Sequence, residues 1–280
     1  MRDDQIFLID QTYMSPGGLP GLTITALIYD VDDDGHEFPC GRVLERPYPP
    51  TDDVLEEYGF DPHGDDNPVD TGDWAVHEGA RFYNEAMSYT DPSDHGKRID
   101  CFRMAELLYL HGDEAGNVYA YVDLGYIYSY DRCEGHYWRG MDALDADPDD
   151  LDPYPTNERA YNFYRLAADA GEPQSCYRVG DMLRSGRGCE PDLKEAFAWY
   201  QKAYQLGLKD SPVVWASAAL RLARCYEEGE GVTHSFQEAL DWYDRAVTGL
   251  EIAVRRGQHW YRNSLQSARD GRTRCEQELE

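Results

Sequence analysis

From about residue 73 onward the apolar positions recur at spacings of three and four, the signature of helices buried along one stripe. Four segments share one pattern: a small residue, a second and usually aliphatic residue four positions on, a small residue beside it, and an aromatic or Leu three further. These positions are Ala75, Gly79, Ala80 and Tyr83; Ala120, Leu124, Gly125 and Tyr128; Ser175, Val179, Gly180 and Leu183; and Ala218, Leu222, Ala223 and Tyr226. All four fall on one helical stripe, where a small residue beside a large one lets a neighbouring helix approach closely. The first copy is weaker, because Gly79 stands where the large residue is expected.

A second kind of helix follows each of these. Its pattern is Ala160, Tyr164 and Ala167; Ala196, Trp199, Tyr200 and Ala203; and Ala239, Trp242, Tyr243 and Ala246, with Cys101, Phe102 and Ala105 read as a degraded earlier copy. Between the two kinds lie glycine turns, Gly186 with Gly188 and Gly229 with Gly231, which end a helix with positive φ at no steric cost. Asp192 with Glu195, and Ser235 with Glu238, read as capping boxes that start the second helix. The interval from Ala167 to Ala203 is 36 residues and from Ala203 to Ala246 is 43, while Ala105 to Ala167 is 62. The longer intervals are insertions: an acidic loop over residues 140–154, and an extra helical turn or longer connection over residues 208–215.

Together these features resemble the Sel1-like repeat family, relatives of the tetratricopeptide repeats. The resemblance is close at Ser175 to Ala203 and at Ala218 to Ala246, and weaker toward the N-terminus. It implies a mainly α fold, an α/α superhelical solenoid of helix pairs acting as an adaptor for other proteins, without a shared catalytic centre. On this reading residues 73–252 are the solenoid and residues 253–280 a C-terminal capping helix. Residues 1–72 form a small strand-containing N-terminal cap, with strands at Gln5 to Ile9 and Leu22 to Tyr29 and an irregular stretch from Pro39 to Pro68. Positions one, three and six after the initial small residue of each first helix point partly away from the stacking stripe. They are Tyr121, Asp123 and Tyr126; Cys176, Arg178 and Asp181; and Ala219, Arg221 and Arg224. In tetratricopeptide-like families the first helices line a concave groove. The resemblance therefore implies that Tyr121, Asp123, Tyr126, Arg178, Asp181, Arg221 and Arg224 contact the partner.

Charge narrows the partner. With 54 acidic and 26 basic residues, the formal charge of -28 repels phosphate backbones and anionic lipids, so a neutral or basic protein or peptide is expected, not nucleic acid or membrane. No apolar run of about 18 residues offers a membrane span, and two acids, Asp3 and Asp4, precede the first apolar patch, which argues against a secretory signal and for the cytoplasm. Seven widely spaced cysteines without a Cys-x-x-Cys pair read as reduced, buried thiols. Arginines 255, 256, 262, 269, 272 and 274 make the one basic stretch, which either docks on the acidic surface of the same chain, the preferred reading, or contacts an acidic partner.

Catalytic chemistry is sparse, and no cofactor is expected. Asp30, Asp32 and Asp34 before Gly35 match the opening of a calcium-binding loop, but Gly41 stands where a bidentate acid is needed, so an acidic hairpin turn is the better reading. The eight histidines lack paired ligand spacing. Two rivals to the scaffold remain: an acidic decoy that inhibits a basic partner through charge, and an enzyme with a site assembled in the N-terminal region.

Overall fold

A computed structural model describes residues 6–9, 23–31, 37–47, 56, 71–134, 156–209 and 212–280. Two compact units divide the chain, Met1–Thr156 and Asn157–Glu280.

In the first unit, β1 (Ile6–Ile9), β2 (Thr23–Val31) and β3 (Glu37–Pro47) form an antiparallel sheet in the order β1-β2-β3. The start of the stretch expected to be irregular from Pro39 is therefore a strand. It tolerates Pro39 and Pro47 because it is an edge strand and the register slips between Ile28 and Tyr29, opposite Pro39. Asp30 pairs with Phe38 near the end of β2, while Asp32 and Asp34 lie outside the described residues, as does the acidic loop over 140–154. Among the described residues no group of three or more His, Cys, Asp or Glu side chains could hold a metal.

Three helices follow: α1 (Asp73–Ser88), α2 (His95–Glu114) and α3 (Val118–Ser129). A Cβ added at Gly79 would meet the Tyr109 ring at 2.5 Å, so the missing side chain is what lets α1 lie on α2. This contact corrects the expected register of the first repeat by one residue: Gly79, not Ala80, is the close-contact position, and Trp74, Ala75 and Val76 are all buried. The paired helix shifts as well. Ala105, Leu108, Tyr109 and Gly112 correspond to Ala196, Trp199, Tyr200 and Ala203, so Ala105 opens the pattern rather than closing it. The aromatic pair expected there is Leu-Tyr, which hid the copy.

The second unit holds α4 (Thr156–Asp169), α5 (Pro173–Ser185), α6 (Leu193–Gly207), α7 (Pro212–Glu228), α8 (Phe236–Arg255) and α9 (Arg262–Leu279). Gly180 packs on Tyr200 as Gly79 packs on Tyr109. Helix α7 has 17 residues against 13 in α5, so part of the later insertion is an extra turn beginning at Pro212. The turn glycines all have positive φ: Gly186, Gly188, Gly229 and Gly231. The second of each pair has a further reason to be glycine, because a Cβ at Gly188 would strike the Asn157 carbonyl and one at Gly231 the Leu193 carbonyl.

The capping boxes are only half made. The Asp192 carboxylate accepts from the Lys194 and Glu195 amides at 2.9 Å, and the Ser235 hydroxyl oxygen from the Glu238 amide at 3.2 Å. Glu195 does not reach back. Its carboxylate accepts from the Arg165 guanidinium at 3.0 Å and the Trp199 indole at 3.1 Å, tying α4 to α6. Tyr164, Tyr200 and Tyr243 are fully buried and Trp199 nearly so, but Trp242 is half-exposed, edge-on to Tyr204 and beneath Arg245.

The C-terminal helix breaks at Gly257, with φ of 91°, and continues through Gly271, which receives the Tyr243 ring. Three of its basic residues are paired with acids of other helices: Arg269 with Glu251 at 2.8 Å, Arg272 with Asp244 at 3.0 Å, and Arg274 with Glu227 at 2.7 Å. Five of the cysteines, Cys101, Cys133, Cys176, Cys225 and Cys275, are buried free thiols, and Cys189 is half-buried.

Candidate functional site

Each unit contains a groove, and the two are built from the same positions. In the first, Ala80, Tyr83 and Asn84 of α1, Tyr109 of α2, and Asp123 and Tyr126 of α3 line about 290 Å³. In the second, about 700 Å³ is lined by Asp181, Arg184 and Ser185 of α5, Tyr200 of α6, and Arg221 and Arg224 of α7, extended by Asn263, Ser264 and Ser267 of α9. Gly79 and Gly180, with Gly125 and Ala223 at the matching place of the next first-type helix, set a common count. The lining residues then stand one, four and five positions after it on one helix, at the paired-helix tyrosine, and two before and one after it on the next helix. Helix geometry accounts for this, since the offsets one, four and five gather on one side of their helix beside the contact residue, and the offsets two before and one after gather on one side of theirs.

The chemistry at the shared positions differs. In the second unit the Arg221 guanidinium forks onto Asp181 with two bonds of 2.6 Å, lies 4.3 Å over the Tyr177 ring, and donates to the Ser217 carbonyl at 2.9 Å. The Tyr200 hydroxyl donates to the same carboxylate at 3.0 Å. Burial alone would push the Asp181 carboxyl up. The Arg221 charge, with the bonds from Arg221 and Tyr200, outweighs it and holds the carboxyl below its ordinary range. Arg184 is tied to Glu230 and, at 2.6 Å, to Glu228, while Arg224 donates to the Ser267 hydroxyl at 2.8 Å.

In the first unit Ala80 stands where Asp181 does, and Asp123 where Arg221 does. Asp123 has no hydrogen-bond or ion-pair partner among the described residues, and its burial pushes the carboxyl up to about 7. Around it stand three phenols, of which burial pushes those of Tyr83 and Tyr109 upward.

Of the partner contacts expected from sequence, Asp123, Tyr126, Asp181, Arg221 and Arg224 line these grooves. Tyr121 and Arg178 line neither; the Arg178 guanidinium lies 5.8 Å over the Tyr177 ring. The first of the three offsets is misplaced, because Cys176 and Ala219, its counterparts on α5 and α7, are fully buried. Sequence reasoning missed the positions four and five after the contact residue, held by Tyr83, Asn84, Arg184 and Ser185. The signal was available: these lie one helical turn beyond Ala80 and Asp181, on the same face.

The family model described as Sel1 repeat matches residues 157–172, 173–208 and 216–248. The chain carries Sel1 repeats. Sel1 repeats are generally protein-interaction modules rather than catalytic ones. The α1–α2 pair precedes the matched residues yet repeats their glycine-on-tyrosine contact. A stretch of 89 residues, 31% of the chain, is 33% identical to chitin synthase regulatory factor 3 of Schizosaccharomyces pombe and spans 9% of that protein's length. Among solved structures, a Sel1 repeat protein from Oxalobacter formigenes is 23% identical, covering 51% of this chain and 88% of its own, with a TM-score of 0.39. A protective antigen of uropathogenic Escherichia coli displaying an SLR fold is 20% identical over 73% of this chain and 45% of its own, with a TM-score of 0.35. The Helicobacter pylori cysteine rich protein B is 17% identical over 49% and 89%, with a TM-score of 0.31. No helix of the described residues is long and apolar enough to cross a membrane.

Proposed function

We propose that this chain is a non-catalytic scaffold whose Sel1-type helix pairs bind a protein or peptide segment through the two grooves. One observation carries the reading. The residues that stack the helices are kept between the units, Gly79 and Gly180 on Tyr109 and Tyr200, while the lining positions around them change charge and size. A constant frame with variable lining is what recognition of unlike side chains by each groove requires. In this reading residues 1–72 cap the solenoid, 73–252 form it and 253–280 close it, and the protein works in the cytoplasm on a neutral or basic partner. Sequence suggests replacing Arg178, Arg221 and Arg224 together, but Arg221 holds Asp181 and its loss confounds binding with folding.

The cleaner test uses Arg224→Ala and, to fill the larger groove, Ser264→Trp. Both variants are expected to melt within a few degrees of the parent and to lose the proteins that cross-link to it in cells. Undiminished recovery of the same proteins by both variants would overturn the reading. A salt series separates the charge-only decoy, whose binding must weaken steeply between low and physiological ionic strength.

A further inference from the structure

The smaller groove sets one carboxylate among aromatic rings. Among the described residues six line it, Ala80, Tyr83, Asn84, Tyr109, Asp123 and Tyr126, so one carboxylate is the only formal charge they bring and three aromatic rings supply most of the walls. Asp123 receives no compensating bond from them. A carboxylate drawn from water without a partner is unfavourable, and a cation entering the groove would relieve that cost. Phenol rings attract cations through their faces. A neighbouring arginine shows it: the Arg132 guanidinium donates to the Tyr83 hydroxyl at 3.1 Å and lies 5.0 Å over the Tyr130 ring and 5.7 Å over the Tyr83 ring.

Which cation is decided by the equivalent groove in the second unit. There a guanidinium, that of Arg221, is held between a carboxylate and a tyrosine face, with the groove tyrosine Tyr200 bonded to the same carboxylate. In the first unit the groove tyrosine is retained as Tyr109, Val76 stands in the place of Tyr177, the internal arginine is gone, and a carboxylate occupies its position. The groove volume of about 290 Å³, set against roughly 30 Å³ for a water in the liquid, admits one long side chain. A guanidinium is planar, weakly hydrated and able to fork onto a carboxylate while stacking on a ring, whereas an ammonium is a compact and strongly hydrated charge.

We infer that the α1–α3 groove is a receptor for one arginine side chain of a partner segment, with the guanidinium forked onto Asp123 and packed against Tyr83, Tyr109 and Tyr126. This rests on the reading of the grooves as partner contacts and names what one of them recognises. Asn84 supplies a neutral donor and acceptor at the rim, and Ala80 leaves the room that Asp181 fills in the second unit.

The test titrates the full chain, with labelled tyrosines observed by NMR, using N-acetyl-arginine amide, its neutral isostere N-acetyl-citrulline amide, and N-acetyl-lysine amide. Tyr126→Phe and Tyr83→Phe assign the groove resonances. The expected result is a saturable shift of those resonances by the arginine probe, at least about tenfold weaker with citrulline or lysine, and at least about tenfold weaker in Asp123→Asn. The unmodified protein offers a second readout, since ionisation of Asp123 with its pKa near 7 should raise arginine affinity by about tenfold from pH 6 to pH 8. The titratable side chains facing Asp123 are the phenols of Tyr83 on α1, Tyr109 on α2 and Tyr126 on its own helix, with Arg132 beyond Tyr83. Equal binding of citrulline or lysine, a flat pH profile, or no saturable shift overturns the inference. If arginine fails to bind while Arg224→Ala and Ser264→Trp still lose their partners, this inference falls alone. If arginine binds as expected while those variants keep every partner, the scaffold reading falls instead.

Discussion

Asp123 and Asp181 show how one residue type acquires opposite properties from what faces it across the groove. Asp181 faces Arg221 and Tyr200, which hold its carboxyl below the ordinary range despite burial. Asp123 stands where that arginine would be, and burial without compensation pushes it up to about 7. The two therefore link to stability with opposite signs. Asp181 contributes stability above its unfolded pKa of about 3.9 that is lost as pH falls through its lowered folded value. Asp123 binds its proton more tightly when folded, so between about pH 4 and pH 7 the folded state loses stability as pH rises. Asp123→Asn is accordingly expected to stabilise the protein at pH 8, by on the order of 1–2 kcal/mol after allowance for solvent reaching the carboxylate, and to be near neutral at pH 4. Thermal melts of parent and variant at the two pH values check this, and equal melting shifts at both would contradict it. A residue that weakens the free protein at working pH is the kind retained for a ligand.

Among elements, the helix pair is set by a glycine against a tyrosine ring. Gly79 and Gly180 leave no room even for a Cβ before Tyr109 and Tyr200, and at Gly180 the Ala196 carbonyl stands only 3.1 Å from that added atom. The tyrosine cannot swing aside cheaply, because its hydroxyl is anchored on Asp181. Gly180→Leu should therefore push α5 from α6 and cost about 1–3 kcal/mol by overpacking, visible as a lower urea midpoint with unchanged slope. An unchanged midpoint would show that the pair closes without this contact. Tyr109 and its glycine were present in the sequence but off by one in register, because Trp74 and Val76 are as buried as Ala75 and the apolar stripe alone did not choose between adjacent settings.

On the scale of the whole molecule, α9 covers the last repeat of the second unit. Leu265, Ala268 and Cys275 pack with Tyr243, Ala246 and Leu250 of α8, and Gly271 takes the Tyr243 ring. Its ion pairs to Glu251 and Asp244 are solvent-exposed, so the buried apolar face and not those pairs should dominate its docking. Removing residues 258–280 would uncover that face and free Glu227 from Arg274. The shortened chain is expected to melt at least several degrees lower and to bind a hydrophobic dye, whereas Arg269→Ala with Arg272→Ala should shift the melt by only about a degree.

By itself the sequence determined the helix pairs, their turns and their order, because periodicity, glycine spacing and N-cap residues act over a few positions and are local properties of the chain. Ala196 through Ala203 and Ala239 through Ala246 were legible on that basis, and so were Asp123, Tyr126, Asp181, Arg221 and Arg224 as residues off the stacking stripe. Only the tertiary structure decided which of those positions share a groove. It sent Cys176 and Ala219 inward, brought Arg184 and Ser185 to Arg221 and Arg224, and paired Asp181 with Arg221 across 40 positions of sequence while leaving Asp123 with no such neighbour among the described residues. The physical reason is that ionic pairing and burial depend on the distance between helices in space, and helical periodicity carries no information about which neighbour a face will meet.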